Sequence, residues 1–166
     1  DRAAQFIAHA ALMVSATREL VADPVFLGLH FRRVGFAEIR GMIAALHREN
    51  IRVVLDVVFN HTGESDDQGA TLSLRGLDNA LYYTGTNDTG CGNTLACGRA
   101  PVVQLVLDAM RRWVNETGLD GFRFDLATVM GHTPDAPLIS AITQDPLLKD
   151  LILIAEPWDL STYRLG

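Results

Sequence analysis

The sequence predicts an α/β fold with parallel strands, in the form of a partial eight-unit β/α barrel (a TIM barrel). Strand-like apolar runs alternate with helix-like stretches along the 166 residues, an order typical of right-handed βαβ units. Three of these runs contain or end in a carboxylate. The last two of these carboxylates, Asp125 and Glu156, are 31 positions apart, and one unit of a barrel of about 250 residues also takes about 31 residues. A doubly wound open sheet remains an alternative, although no Gly-rich phosphate loop follows any strand.

Hydrophobic periodicity and chain-breaking residues assign the elements in order. The longest predicted helix begins at Pro101 and ends at Gly118, residues typical of those two positions. The first predicted strand is apolar on both faces, which is typical of a parallel strand buried beneath helices. The predicted helices cover residues 36–49, 101–117 and 136–144. The predicted strands cover residues 51–58, 119–124 and 151–155.

Two stretches lack such periodicity. Residues 62–100 are rich in Gly, Asp, Asn, Ser and Thr, so we expect a long loop without regular structure, a feature that is usually functional in a compact domain. Residues 1–35 form a poorly assigned N-terminal segment, in which we expect an Ala-rich helix ending before Pro24. Residues 36–166 are predicted to form the partial catalytic barrel domain.

Composition excludes several classes of partner. The net charge of −6 disfavours nucleic acid, and no apolar run approaches the roughly 20 residues that cross a bilayer. The two cysteines, Cys91 and Cys97, are too few for a secreted disulfide framework. A disulfide between them is an alternative, but we expect free thiols and a cytoplasmic protein. We expect no metal and no cofactor.

Two carboxylates at the ends of neighbouring strands are the candidate chemistry. Adjacent parallel strands lie about 4.8 Å apart, so Asp125 and Glu156 can approach to about 5.5 Å, the separation used by retaining glycosidases. Arg123 precedes Asp125 by two residues and shares its side of the strand, where it would keep that carboxylate ionised. Desolvation at the end of an apolar strand would raise the pKa of Glu156, as a general acid requires. The alternative is a purely structural ion pair between Arg123 and Asp125.

Four further residues are candidates for supporting the site. Asp56 lies in an apolar strand and needs a partner, for which Arg123 is the expected one. His61, at the corner where the strand meets the loop, would donate a hydrogen bond to a sugar hydroxyl. Asn60 would orient the loop or, in some contexts, ligate calcium, which we do not expect here. Trp158 would stack on a sugar ring, with a place in the core as the alternative.

These motifs resemble the first three signature regions of the α-amylase family of glycoside hydrolases, at the third, fourth and fifth barrel strands. Residues 73–79, 82–83 and 90–94 are similar to a loop of bacterial glycogen debranching enzymes and isoamylases. The resemblance extends over about residues 36–166. The three signature motifs are Leu-Asp-Val-Val-Phe-Asn-His at 55–61, Gly-Phe-Arg-Phe-Asp-Leu-Ala at 121–127 and Leu-Ile-Ala-Glu-Pro-Trp-Asp at 153–159.

The resemblance implies a (β/α)8 barrel that hydrolyses α-1,6 branch linkages in glycogen or limit dextrin, with retention of configuration. It implies that Asp125 is the nucleophile and Glu156 the acid/base. Arg123 and His61 would contact the nucleophile and the sugar at the cleaved bond, and Asp56 and Asn60 would support the site.

The sequence also departs from the family. Nothing matches its fourth signature region, a His-Asp pair at the seventh strand, and residues 1–35 contain no recognisable aromatic sugar platform. Ala96 stands where relatives usually carry Asn. We therefore expect a fragment of about three barrel units with little activity alone. The alternatives are a catalytically silent glucan-binding or partner-dependent chain, and an α-1,4-specific member of the same family.

Overall fold

A computed structural model of the chain describes residues 35–68, 71, 73–131 and 135–158. Its centre is a parallel sheet of three short strands in the order β1-β2-β3. The predicted parallel arrangement is therefore confirmed, although each strand is shorter than predicted. The helix predicted within residues 1–24 lies outside the described residues. The strands are β1 (Val54–Val57), β2 (Gly121–Phe124) and β3 (Ile152–Ala155).

The strands pair in a register that sets side chains from all three beside one another. Asp56 is opposite Arg123, and Arg123 is opposite Ile154. Since side chains alternate between the two faces of a strand, these three residues share one face of the sheet. Phe122 lies on the other face and is fully buried.

Among the described residues, one helix precedes β1, and helices connect β1 to β2 and β2 to β3. The predicted capping of the longest helix is confirmed, because Pro101 lies in its first turn and Gly118 ends it with φ of 72°. The helices are α1 (Phe36–Arg48), α2 (Leu74–Tyr82), α3 (Ala100–Thr117), α4 (Ala127–Met130) and α5 (Pro137–Gln144). None of the described helices combines the length and hydropathy that a bilayer crossing requires.

Helix α2 corrects the prediction that residues 62–100 lack regular structure. It contains no buried residue, and Asp78 interrupts it with non-helical angles (φ −164°, ψ 97°). A short, kinked surface helix of this kind has no apolar stripe long enough to be recognised by its period.

The core lies between the sheet and helices α1, α3 and α5. Met110 and Val102 of α3 are fully buried, and Phe36 of α1 meets Trp113 of α3 edge to face, with ring centroids 5.4 Å apart. The opposite face of the sheet is open, since Val58 and Ile154 are 47% and 46% exposed. The expectation that the first strand is buried on both faces is therefore wrong for the face that carries Asp56.

Candidate functional site

The site residues gather at the carboxyl ends of the three strands, on the open face of the sheet. The Asp125 N–H donates to the Val57 carbonyl (3.1 Å) and the Glu156 N–H donates to the Phe124 carbonyl (3.0 Å). These bonds extend the parallel ladder by one residue beyond β2 and β3. The backbone therefore fixes both carboxylates at neighbouring strand ends, as predicted.

The positively charged side chain of Arg123 contacts three carboxylates of the site. Its Nη1 lies 2.9 Å from Asp56 Oδ2 and 3.9 Å from Asp125 Oδ1, and its Nη2 bonds Glu156 Oε1. The predicted partnership with Asp56 is thus present, and it is this hydrogen bond that does most to raise the pKa of Arg123. One guanidinium faces three carboxylates, so the expected simple pairing of Arg123 with Asp125 is only the longest of its contacts.

Asn60 holds Asp125 from the other side. It follows β1 and is fully buried, and its Nδ2 lies 2.6 Å from the main-chain oxygen of Asp125 and 3.2 Å from Oδ2. The main-chain oxygen of Asn60 accepts the N–H of Leu95 at 2.8 Å, where the long loop returns to the sheet. Asn60 therefore contacts both the loop and the candidate nucleophile, and its orienting role stays a prediction.

His61 lies next to this amide. Its Nδ1 is 2.5 Å from Asn60 Oδ1. Burial lowers the pKa of the imidazole below its ordinary value of 6.5, although the negative charge of Asp125 opposes the shift. At neutral pH the ring is therefore uncharged.

The structure overturns the expected raised pKa of Glu156. Burial does favour the protonated acid, but the N–H of Leu126 donates to Oε2 at 3.0 Å, and Arg123 and the Trp158 side chain also stabilise the carboxylate. Together these contacts hold the pKa below its ordinary value of 4.5. In the chain without a ligand, Glu156 is therefore an ionised carboxylate and carries no proton to donate.

Trp158 is half-buried and reaches the site through both its backbone and its side chain. Its carbonyl accepts the hydroxyl of Thr128 at 2.9 Å, and its side chain interacts with Glu156. Stacking on a sugar ring stays a prediction.

Leu126 is a functional position that the sequence did not indicate. Its φ of 42° lies in the left-handed region, which favours Gly or Asn and costs a branched residue about 1–2 kcal/mol. This conformation accompanies the N–H that donates to Glu156. Because every residue carries an N–H, no sequence signal identifies this one.

The long loop also contains a polar cluster that the sequence does not indicate. The Glu64 carboxylate accepts the N–H groups of Ser73 and Arg75 at the start of α2 (2.7 and 3.0 Å) and the hydroxyl of Tyr83 at 2.5 Å. Burial and the bond to Glu64 raise the pKa of Tyr83 to about 12. The same hydroxyl lies 2.7 Å from that of Thr62, the residue after His61, so the cluster ties α2 to the loop beside the site.

Among the described residues, no group of three or more His, Cys, Asp or Glu side chains is arranged so that it could hold a metal ion. Cys91 is exposed and Cys97 is buried, both as free thiols. The absence of a cofactor stays a prediction.

Comparison with known proteins identifies relatives of this chain. No protein-family model matches the chain. The glycogen debranching enzyme of Serratia proteamaculans (strain 568) is 51% identical over an alignment of 141 residues, which covers 78% of this chain and 21% of that enzyme. The predicted resemblance to these glycoside hydrolases is confirmed, and the chain spans about a fifth of the length of the relatives it matches.

Solved structures give the same result for the fold. A pullulanase from Bacillus acidopullulyticus is 32% identical with a TM-score of 0.59, over 80% of this chain and 17% of that chain. The type I pullulanase of Bacillus subtilis strain 168, solved with maltose, is 31% identical with a TM-score of 0.58, over 77% and 18%. The small parallel sheet and its helices are thus similar to part of these enzymes.

Proposed function

We propose that this chain is the part of an α-1,6-glucan debranching hydrolase that carries the nucleophile and the acid/base. In this proposal β1, β2 and β3 correspond to the third, fourth and fifth strands of a (β/α)8 barrel. The observation that carries it is the placement of Asp125 and Glu156 at adjacent strand ends around one guanidinium, in a chain of which 141 residues align at 51% identity with a glycogen debranching enzyme. The substrate is a branched α-glucan such as glycogen or limit dextrin.

The chemistry assigned to the site is a double displacement with retention. Asp125 attacks the anomeric carbon while Glu156 gives its proton to the leaving glycosidic oxygen, and the covalent glycosyl-enzyme is then hydrolysed by a water that Glu156 deprotonates. Arg123 and Asn60 hold Asp125 as an aimed carboxylate. His61 and Trp158 are placed to contact the sugar.

Glu156 has to gain a proton before it can act as the acid. Its present partners favour the carboxylate, so binding of the glucan must reverse that balance. A sugar that displaces water strengthens the desolvation that already favours the neutral acid. Arg123 can meanwhile remain paired with Asp56.

The ionised state of Glu156 favours a second candidate function, a chain that binds glucan without cleaving it. Both oxygens of this carboxylate are occupied, by Arg123 and by the N–H of Leu126. A site with this arrangement can hold sugar hydroxyls without donating a proton. Binding of branched limit dextrin that persists in Asp125→Ala, with no turnover by either protein, would support this candidate.

A graft tests the catalytic assignment directly. The aligned segment of the Serratia proteamaculans enzyme is replaced by the corresponding residues of this chain, and release of linear chains from limit dextrin is measured. We expect the hybrid to cleave, and Asp125→Asn or Glu156→Gln to lower kcat by about 10³-fold or more. As a matched control, Asp108→Asn removes an exposed carboxylate of α3 and should leave kcat unchanged. A folded hybrid whose turnover survives either site substitution would contradict the assigned roles.

The isolated chain gives a complementary prediction. We expect it to release few or no linear chains from glycogen, since nothing in it matches the fourth signature region of the family. Efficient release that is abolished in Asp125→Ala would contradict this expectation. Comparing pullulan, amylose and limit dextrin as substrates for the hybrid separates α-1,6 from α-1,4 specificity.

A further inference from the structure

We propose that Asn60 fixes His61 as the tautomer that carries its proton on Nδ1, so that Nε2 offers a lone pair and acts as a hydrogen-bond acceptor. Asn60 is then a positioning residue that acts through His61. The sequence predicts a hydrogen-bond donor at this position, and the polarity inferred from the structure is the opposite.

The orientation of the Asn60 amide follows from its contacts with Asp125. The main-chain oxygen of Asp125 can only accept, so the atom 2.6 Å from it must be the donating Nδ2. The second neighbour of this nitrogen, Asp125 Oδ2 at 3.2 Å, is an acceptor as well. The other end of the amide, Oδ1, therefore faces His61.

Oδ1 of an amide can only accept, and His61 Nδ1 lies 2.5 Å from it. Nδ1 must then carry the hydrogen. In an uncharged imidazole the second nitrogen has none, and burial keeps this ring uncharged at neutral pH. Nε2 has no hydrogen-bond partner among the described residues, so it is free to accept.

The amide is held against turning over. Asn60 is fully buried, and its main-chain oxygen is anchored by Leu95 at 2.8 Å. A reversed amide would set its oxygen against the Asp125 carbonyl and its NH₂ against the His61 ring, leaving an acceptor facing an acceptor in a buried place. Such a mismatch leaves buried polar groups without a partner, which strongly disfavours the reversed amide.

A further consequence rests on the proposed function. A sugar hydroxyl that meets His61 must donate its hydrogen to Nε2. The oxygen of that hydroxyl can then accept a hydrogen bond from another donor.

Nitrogen-15 NMR of the histidine side chains in the whole chain tests the tautomer without any ligand. At pH 7.5 we expect Nδ1 of His61 to show the shift of a protonated nitrogen and Nε2 that of an unprotonated one. His47 is an internal control of opposite polarity, because its Nε2 lies 2.7 Å from a carboxylate oxygen of Asp120 and so carries the hydrogen. A wild-type His61 protonated on Nε2, alone or with Nδ1, would overturn the proposal.

Two variants test whether Asn60 is responsible. Asn60→Leu removes the acceptor, and we expect His61 to move to the Nε2-protonated tautomer, which an unconstrained imidazole favours. Asn60→Asp keeps an acceptor beside Nδ1 and should keep Nδ1 protonated, while the loss of the donor to the Asp125 main-chain oxygen should lower the stability of this variant. As a control, Asp120→Asn should change only the His47 signals. If His61 retains its tautomer in Asn60→Leu, the assignment to Asn60 is wrong.

Titration with maltotriose separates this inference from the proposed function. We expect the unprotonated Nε2 resonance of His61 to shift on binding while Nδ1 stays protonated. A chain that shows the Nδ1 tautomer but does not bind maltotriose retains the inference and counts against the proposed function. Binding that transfers the proton to Nε2 would overturn the inference and leave the proposed function standing.

Discussion

At the scale of single residues, the site is organised by an excess of negative charge around one cation. Arg123 contacts Asp56, Asp125 and Glu156, and its side chain is 31% exposed, so solvent screens these pairs only in part. Asp56 takes both short contacts to Nη1. Of the three carboxylates, Asp125 therefore lies farthest from Arg123, at 3.9 Å. Asn60, rather than Arg123, donates the closer hydrogen bonds to Asp125.

Removing this cation should raise the pKa of Glu156. In Arg123→Leu the carboxylate loses an ion pair and a hydrogen bond, while the burial that favours the neutral acid remains. Carbon-13 NMR titration of the Glu156 side chain measures the shift. Arg111→Leu, which removes a guanidinium paired with Asp145 elsewhere, is the matched control and should leave Glu156 unchanged. An unaltered or lowered pKa in Arg123→Leu would show that Arg123 does not stabilise the carboxylate.

The membership of the site was predictable from sequence, whereas the electrostatics were not. Asp125 and Glu156 follow apolar strands of a parallel sheet, and the carboxyl ends of such strands meet at one edge. The direction of the Glu156 pKa shift depends instead on the N–H of Leu126 in a left-handed conformation. No pattern of residue types encodes that backbone angle. The catalytic roles themselves stay predictions until the graft is assayed.

At the scale of elements, the contact between β2 and β3 depends on the absence of a side chain at Gly121. A Cβ built there would lie 2.2 Å from the carbonyl oxygen and 2.6 Å from the Cβ of Ile152, its partner in the register. Both obstacles belong to a paired strand and cannot move without breaking the ladder. The glycine is therefore required by close packing of the two strands.

Gly121→Ala should destabilise the chain by at least about 2 kcal/mol, because it forces β3 away from β2. Urea denaturation measures the change in the free energy of unfolding. Gly41→Ala in α1 is the matched control, since a Cβ there meets nothing within 4 Å. That substitution should stabilise the helix by about 0.5–1 kcal/mol. Equal effects of the two substitutions would contradict the packing argument.

Helices that pack a long apolar stripe against the core could be predicted from the sequence. Helices held by polar contacts to a separate loop could not. Helix α3 has both a buried stripe and its end signals, Pro101 and Gly118. Helix α2 is set instead by Glu64, ten residues before it, through backbone N–H groups. Such contacts depend on the folded path of the loop, which local periodicity does not describe.

At the scale of the whole molecule, the described sheet is packed on one face and open on the other. Both outer strands have a strand neighbour on one side only among the described residues. The open face carries Asp56, Arg123 and Ile154, so apolar exposure and the charged site occur together. The sequence could not distinguish this arrangement from strands covered on both faces, since Ile154 and Val58 are as apolar as the core residues.

Buried and paired titratable groups make the stability of the whole chain fall in acid. Asp145 pairs with Arg111, and its folded pKa is lowered below its ordinary value, as is that of Glu156. A lowered carboxyl pKa stabilises the fold above the unfolded value, and this contribution disappears as the pH falls through the folded value. His61 acts in the same direction from a higher pH, because the unfolded chain takes up a proton below about 6.5 more readily than the folded one. We expect the free energy of unfolding, measured with urea, to decrease steadily below about pH 6.5.

Two other groups make the stability fall in alkali. Burial raises the pKa of Cys97 from 9.0 to about 12, and burial with Glu64 raises that of Tyr83 from 10.0 to about 12. A raised pKa stabilises the fold below the unfolded value and is lost as the pH rises towards the folded one, so the free energy of unfolding should decrease above about pH 9. Cys97→Ala, compared with the exposed Cys91→Ala, should flatten the beginning of this decrease near pH 9, and Tyr83→Phe should flatten it above about pH 10. Identical urea midpoints across pH 8–11 in wild type and Cys97→Ala would show that burial of this thiol does not govern the alkaline limit.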